Sequence, residues 1–336
     1  MFEENREINT ELLNMSGIFH IHQVLGIKII GQLNKQTLIT YFEENLKIKE
    51  EPELESQVIG FRIINNVQFP PYIWNDKDYK NIADNLIIIE YFWRKESKKK
   101  VFKIQNNEIQ AEREIDVLED NRDYIFLILP NLLIFKGAEE AYNAVWEDFF
   151  EIIKPIIQFQ RNYSFENAFY LKFLEKLSLH DTQLDKDFTI DHVLDLTFEG
   201  FKDFLEEIID IRHLYQISNS IITLMALLTE LKIKSGNFDF CLKKIYFTME
   251  LKNSGELIIK QQRGDFKDML HNQRAFHGCY IIHRFIMFYN QWEAMRDTEM
   301  TVNPEFKKLI ISSLEDNNLN SITLRNRVLS ASSAIT

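Results

Sequence analysis

The sequence predicts an α+β protein. An N-terminal, mainly antiparallel sheet domain over residues 1–158 is followed by a mostly helical C-terminal domain over 159–336, with one β-hairpin at 238–260. Three observations predict it. Short runs of Ile, Val and aromatic residues, separated by Asn, Gly and Pro, fill residues 57–136. From residue 138 onward, apolar residues recur mostly at helical spacing. Gly and Pro are scarce, 10 and 6 among 336 residues, which favours long regular elements over a loop-rich scaffold.

The elements follow in order. Gly17–Ile30 is β-rich and punctuated by glycine, and Thr37–Leu46 suits a short helix. Glu50–Glu55, acidic and containing Pro52, reads as an exposed linker. Val58–Ile64 is a strand candidate, and Pro70-Pro71 marks a turn. Leu86–Arg94 is a strong strand, Glu96–Lys100 reads as a polar turn, and Val101–Ile104 returns from it. Asn106-Asn107 suggests another turn. Tyr124–Leu129 and Leu132–Phe135 form a further pair about Pro130-Asn131. Ala138–Ile153 places Ala141, Val145, Phe149 and Ile152 on one helical face, and Pro155 ends it. Helices are then expected at 165–179, 199–216, 218–233, 264–297, 304–316 and 320–334. They are interrupted by one strand over Phe238–Leu251, a turn at Asn253-Ser254-Gly255 and a return over Glu256–Lys260.

The composition is 45% hydrophobic and includes 27 Phe and 12 Tyr, which implies an aromatic core. The formal net charge of −12 argues against wholesale wrapping of nucleic acid or an anionic membrane, but permits a local basic patch. Two cysteines, Cys241 and Cys279, form no disulfide framework and fit a reducing compartment. The first residues carry neither the basic start nor the apolar run of a signal peptide. The longest apolar stretch, Tyr124–Phe135, is too short to cross a bilayer. A cytoplasmic protein that does not enter membranes is expected. Abundant Ile, Lys and Asn suit an AT-rich, prokaryotic genome.

Familiar catalytic signatures are missing. No two glycines stand in a Gly-x-Gly pattern, so neither a Rossmann turn nor a P-loop can bring backbone close to phosphates. There is no Gly-x-Ser-x-Gly elbow, no Cys-x-x-Cys and no His-Glu-x-x-His. No metal site or cofactor is assigned.

Several constellations remain. Asp239 with Glu250-Leu251-Lys252 resembles the spacing of the PD-(D/E)xK nuclease superfamily. That resemblance implies two carboxylates on a Mg²⁺ ion and a lysine orienting the attacking water. Residues 240–249 contain no Gly, Pro, Asn or Asp, so they read as one strand, which would hold Asp239 and Glu250 about 36 Å apart. On a helix, His271, His277 and His283 would point about 120° apart and could not converge on one ion without a break near Gly278. His20 and His22 would share one strand face. His180-Asp181 resembles the signature of HD phosphohydrolases, but no histidine lies between His22 and His180 to supply the upstream ligand.

The most distinctive local feature is the basic stretch of Trp93, Arg94, Lys95, Lys98, Lys99, Lys100 and Lys103, flanked by aromatics. Such a hairpin tip could hold phosphates while rings stack on bases. As a solvated turn, its lysines would instead guard strand edges against aggregation.

The expected function is a non-catalytic interaction or nucleic-acid-associated subunit of a larger prokaryotic assembly. Its partner would be a protein or a second copy, with nucleic acid a further ligand of the basic stretch. The alternative is a divergent metal-dependent nuclease or phosphodiesterase using residues 239–283, with Asp239, Glu250, Lys252, His271 and His277 as candidates. The sequence leaves open whether the chain is an enzyme.

Overall fold

The structure is a computed structural model. It describes residues 17–27, 35–49, 58–64, 67, 69–105, 108–160, 163–198, 209–212, 232–260, 262–295, 305, 306, 308 and 312; side chains of 26, 27, 101–114, 160 and 209–212 are excepted. The chain divides into two units. One comprises residues 1–162 with 270–280, the other 163–269 with 281–336. No described helix is long and apolar enough to cross a membrane.

The first unit contains β1 (Phe19–Ile27), α1 (Lys35–Asn45), β2 (Val58–Ile64), α2 (Pro71–Asn75), α3 (Lys77–Asn85), β3 (Leu86–Gln105), β4 (Glu108–Ile128), β5 (Leu132–Lys136), α4 (Glu139–Ile153) and β6 (Ile157–Gln160). Its strands run in the order β2-β3-β4-β5-β1-β6, every pair antiparallel. Alternation along the strands builds the core. Ile87, Ile89 and Tyr91 of β3, with Ile125 and Leu127 of β4, pack against Leu38 and Phe42 of α1 and Val145 and Phe149 of α4. The intervening residues Leu86, Ile88, Phe126 and Ile128 are buried too, so this part of the sheet is covered on both faces. Pro70-Pro71 starts α2 rather than a bare turn, with a proline in the first helical turn. Asp76 caps α3 by accepting from the amides of Asp78 and Tyr79. Gly60 has φ +147°, and a Cβ there would meet the Lys47 carbonyl oxygen at 2.3 Å, so this crossing of β2 needs glycine.

The second unit contains α5 (Asn167–Ser178), β7 (Gln183–Asp185), β8 (Phe188–Phe198), β9 (Ile209–Arg212), β10 (Ile233–Leu242), β11 (Ile245–Lys252), β12 (Leu257–Ile259) and a 3₁₀ turn at Gly264–Asp268. It also holds the residues from Ile281 onward of α6 (His271–Ala294). The strand order is β7-β8-β10-β11-β12, with β9 also on β8, again antiparallel. One face carries Phe188, Phe238, Phe240 and Phe247 in contact with one another; Phe173 of α5 and Phe285 and Phe288 of α6 pack on these rings, and Phe169 of α5 packs on Phe285 and Phe288.

This overturns the expected helical C-terminal domain with one hairpin. Among the described residues between 183 and 259 there are six strands, and the helices α5 and α6 flank that run. The strand β8 is not legible in the sequence because bulges against β10 shift its register. Its buried residues Ile190, Val193 and Leu196 therefore fall three apart, and neither the strand nor the helix period stands out. Within the expected helix at 199–216, residues 209–212 are strand, and the rest lies outside the described residues. The expected helices at 218–233 and 320–334 lie outside them too, apart from Lys232 and Ile233.

Candidate functional site

The pairing of β3 with β4 runs from Leu86↔Ile128 to Gln105↔Glu108, with one register shift between Lys103 and Ile104, well past the neighbours on either side. β2 pairs β3 only as far as Trp93, and β5 pairs β4 only over Ile125–Ile128. Among the described residues, the hairpin from Arg94 outward is therefore a ribbon two strands wide and about 40 Å long. Burial changes at the same place. Residues 86–91 and 124–129 are buried, whereas Lys98, Lys99, Lys100, Ile115, Asp116 and Leu118 are exposed.

The expected turn at Glu96–Lys100 is thus the middle of a strand. Its lysines suggested a turn, yet strand pairing tolerates them wherever both faces meet water. The ribbon also divides by charge. From Arg94 to Gln105, β3 carries six basic side chains and one acidic one; from Glu108 to Asp123, β4 carries seven acidic and two basic. The structure links them across the ribbon: Arg94 donates to Asp120 at 2.8 Å, and Lys99 pairs with Glu119 at 2.5 Å. Lys95 reaches Glu140 of α4 at 2.5 Å. The Lys99 ammonium holds the Glu119 carboxyl below its ordinary range, and the Asp120 carboxylate raises the Arg94 guanidinium. Trp93 is half-buried against the core of the first unit. Lys103 lies on β3, where only the backbone is described. The acids Asp116, Glu119 and Asp120 were missed as members of this site. Their signal was the mirrored charge on either side of Asn106-Asn107.

No protein-family model and no curated protein matches the chain. The site's chemistry therefore rests on its own geometry.

The candidate acids sit differently from expectation. β10 and β11 form a two-residue hairpin at Lys243-Lys244, both with positive φ (48° and 67°). This is the primed turn usually made by Asn-Gly, here closed by two lysines. The supposed single strand is two, and the 36 Å separation disappears. Asp239 lies opposite Thr248 and Asn237 opposite Glu250, so Asp239 and Glu250 are diagonal neighbours on one face, about 7–8 Å apart at Cα. Each of these groups is already engaged. Asp239 accepts from the Thr248 hydroxyl at 2.5 Å, Glu250 pairs with Lys260, and Lys252 pairs with Glu256 at 2.5 Å. Among the described residues, no group of three His, Cys, Asp or Glu is placed to hold a metal.

The histidines do not gather either. His271, His277 and His283 lie on the unbroken helix α6, with no break at Gly278. His271 is exposed. His277 is buried, and its Nε2 lies 2.7 Å from the Tyr72 hydroxyl. Burial lowers its pKa to about 4. Burial and the neighbouring Arg284 charge lower that of His283 to about 4 as well. His20 and His22 share a face of β1 as expected, but that face is covered by aromatic rings. His20 stacks on Tyr142 at 4.1 Å and His22 on Trp146 at 4.3 Å. His180-Asp181 ends α5: His180 has φ 57°, and the Asp181 amide donates to the Lys176 carbonyl.

Proposed function

We propose that this chain is a non-catalytic interaction protein, a subunit of a larger assembly, that docks a partner protein along the outer edge of β3 from Arg94 to Gln105. The partner element is an extended acidic segment that adds to the ribbon as its third strand. The observation that carries this reading is that, among the described residues, the ribbon is two strands wide. A two-stranded hairpin is at best marginally stable in water, whereas a third strand completes the backbone pairing on one side. Charge selects the partner. β4 already supplies acids on one side of β3, and an acidic segment would supply them on the other. The nearly balanced charge of the whole ribbon favours such a segment over nucleic acid, whose uniform phosphates would also meet the acids of β4. A cytoplasmic setting suits the two free cysteines.

The nuclease reading has one feature in its favour, the shared face of Asp239 and Glu250. Their engagement by Thr248 and Lys260 weighs against it.

The test is a titration with a synthetic peptide of alternating Glu and Val, alongside single- and double-stranded DNA. The peptide is expected to bind in a salt-sensitive manner, and combined Lys98→Glu, Lys99→Glu and Lys100→Glu substitutions should weaken it by at least about tenfold. DNA binding lost in the same variant would move the site to the nucleic-acid reading. Binding of neither probe would remove the docking reading.

A further inference from the structure

The first unit contains a concavity of about 390 Å³ that shares no residue with the ribbon edge. Its volume lies within the range of small-molecule sites. Helical spacing builds one wall. Lys35, Ile39 and Glu43 stand four apart along α1, so they line one face of that helix. Ile63 and Ile87 form an apolar floor, and Phe69 and Trp74 stand at the side. Phe69 is braced by Phe276 at 5.2 Å between ring centres. Trp74 is 45% exposed, so its ring is accessible from the concavity it lines.

The polar groups are few and separated. Lys35 opens α1 and donates to the Ala83 carbonyl at 3.3 Å, which uses one of the three ammonium protons. Glu43 lies eight residues on, about 12 Å along the helix axis. Lys35 therefore stands at one end of the concavity and Glu43 at the other. Burial lowers the Lys35 pKa, an effect that the nearby Asp84 carboxylate only partly offsets, so the ammonium is already partly desolvated.

We infer that this concavity binds a planar aromatic anion, its ring against Trp74 and Phe69 and its anionic group on Lys35. The apolar floor accounts for the ring.

The probe is anilinonaphthalene sulfonate, titrated into the full chain by fluorescence and compared with the same ring system lacking the sulfonate. Saturable binding at one site per chain is expected, with the neutral compound about tenfold weaker. Lys35→Met should remove that difference, and Lys35→Arg should keep it. Trp74→Ala should weaken both compounds about tenfold, and Trp74→Phe should retain most of the affinity. Circular dichroism separates loss of binding from loss of fold, and Trp74, being half-exposed, is the safer site to change. Many weak sites per chain, or affinities unchanged in both Trp74→Ala and Lys35→Met, would overturn the inference.

Discussion

The two halves of the β3–β4 hairpin are one continuous pairing built on opposite physics. Near its base, Leu86–Trp93 and Tyr124–Ile128 are flanked by β2 and β5 and largely buried on both faces. From Arg94 outward the same two strands have no third strand among the described residues. They expose Ile115 and Leu118 and hold register by cross-strand ion pairs such as Arg94 with Asp120. The difference teaches that strand formation and burial are separate decisions. Apolar alternation made the base, and charge complementarity between neighbouring strands made the ribbon.

The largest expected effect lies at the base. Ile89 is fully buried, and Ile89→Ala should cost about 2–5 kcal/mol in denaturant unfolding. A cost as small as that of a surface site would break the distinction between the halves.

Acid should sharpen it. The pKa values of His277 and His283 are lowered to about 4, so the folded chain binds fewer protons than the unfolded chain between the ordinary histidine value and about pH 4. Stability should therefore fall as pH drops through that window, by up to about 3 kcal/mol for each histidine, and level off below it. His277→Gln should flatten part of that slope. Ion pairs on the ribbon act in a different range. Lys99 holds Glu119 below its ordinary value, so that pair should persist until the pH falls through the carboxylate range. A ribbon that lost protection near pH 6 would contradict this account.

The smallest expected effect is on the ribbon. Leu118 is 45% exposed, and Leu118→Ala should change stability by no more than about 0.5 kcal/mol.

The same contrast explains what the sequence made legible. Val58–Ile64, the 139–153 helix and the buried ends of β3 and β4 were visible because apolar period and burial agree there. The course of β3 through Glu96–Lys100 was not visible, because a lysine-rich strand looks like a turn until its acidic partner strand is placed beside it. The Lys243-Lys244 turn was hidden for the converse reason: a primed turn closed by lysines carries none of the usual residues. Without that turn, residues 239–250 read as one strand with Asp239 and Glu250 at its two ends. Missing β7, β8 and β9 made a sheet unit look helical. The basic stretch is legible in the sequence as a concentration of charge, but its acidic complement on β4 comes beside it only through long-range pairing.

Hydrogen exchange across β3, read by mass spectrometry on the isolated chain and again with the Glu-Val peptide, tests the central claim most directly. The account predicts that amides of Ile87–Trp93 exchange only on global unfolding. Amides of Lys95–Gln105 should exchange faster, and those on the outer edge should slow when the peptide is added. Equal protection along the whole of β3 without a partner, or no slowing with the acidic peptide, would contradict it.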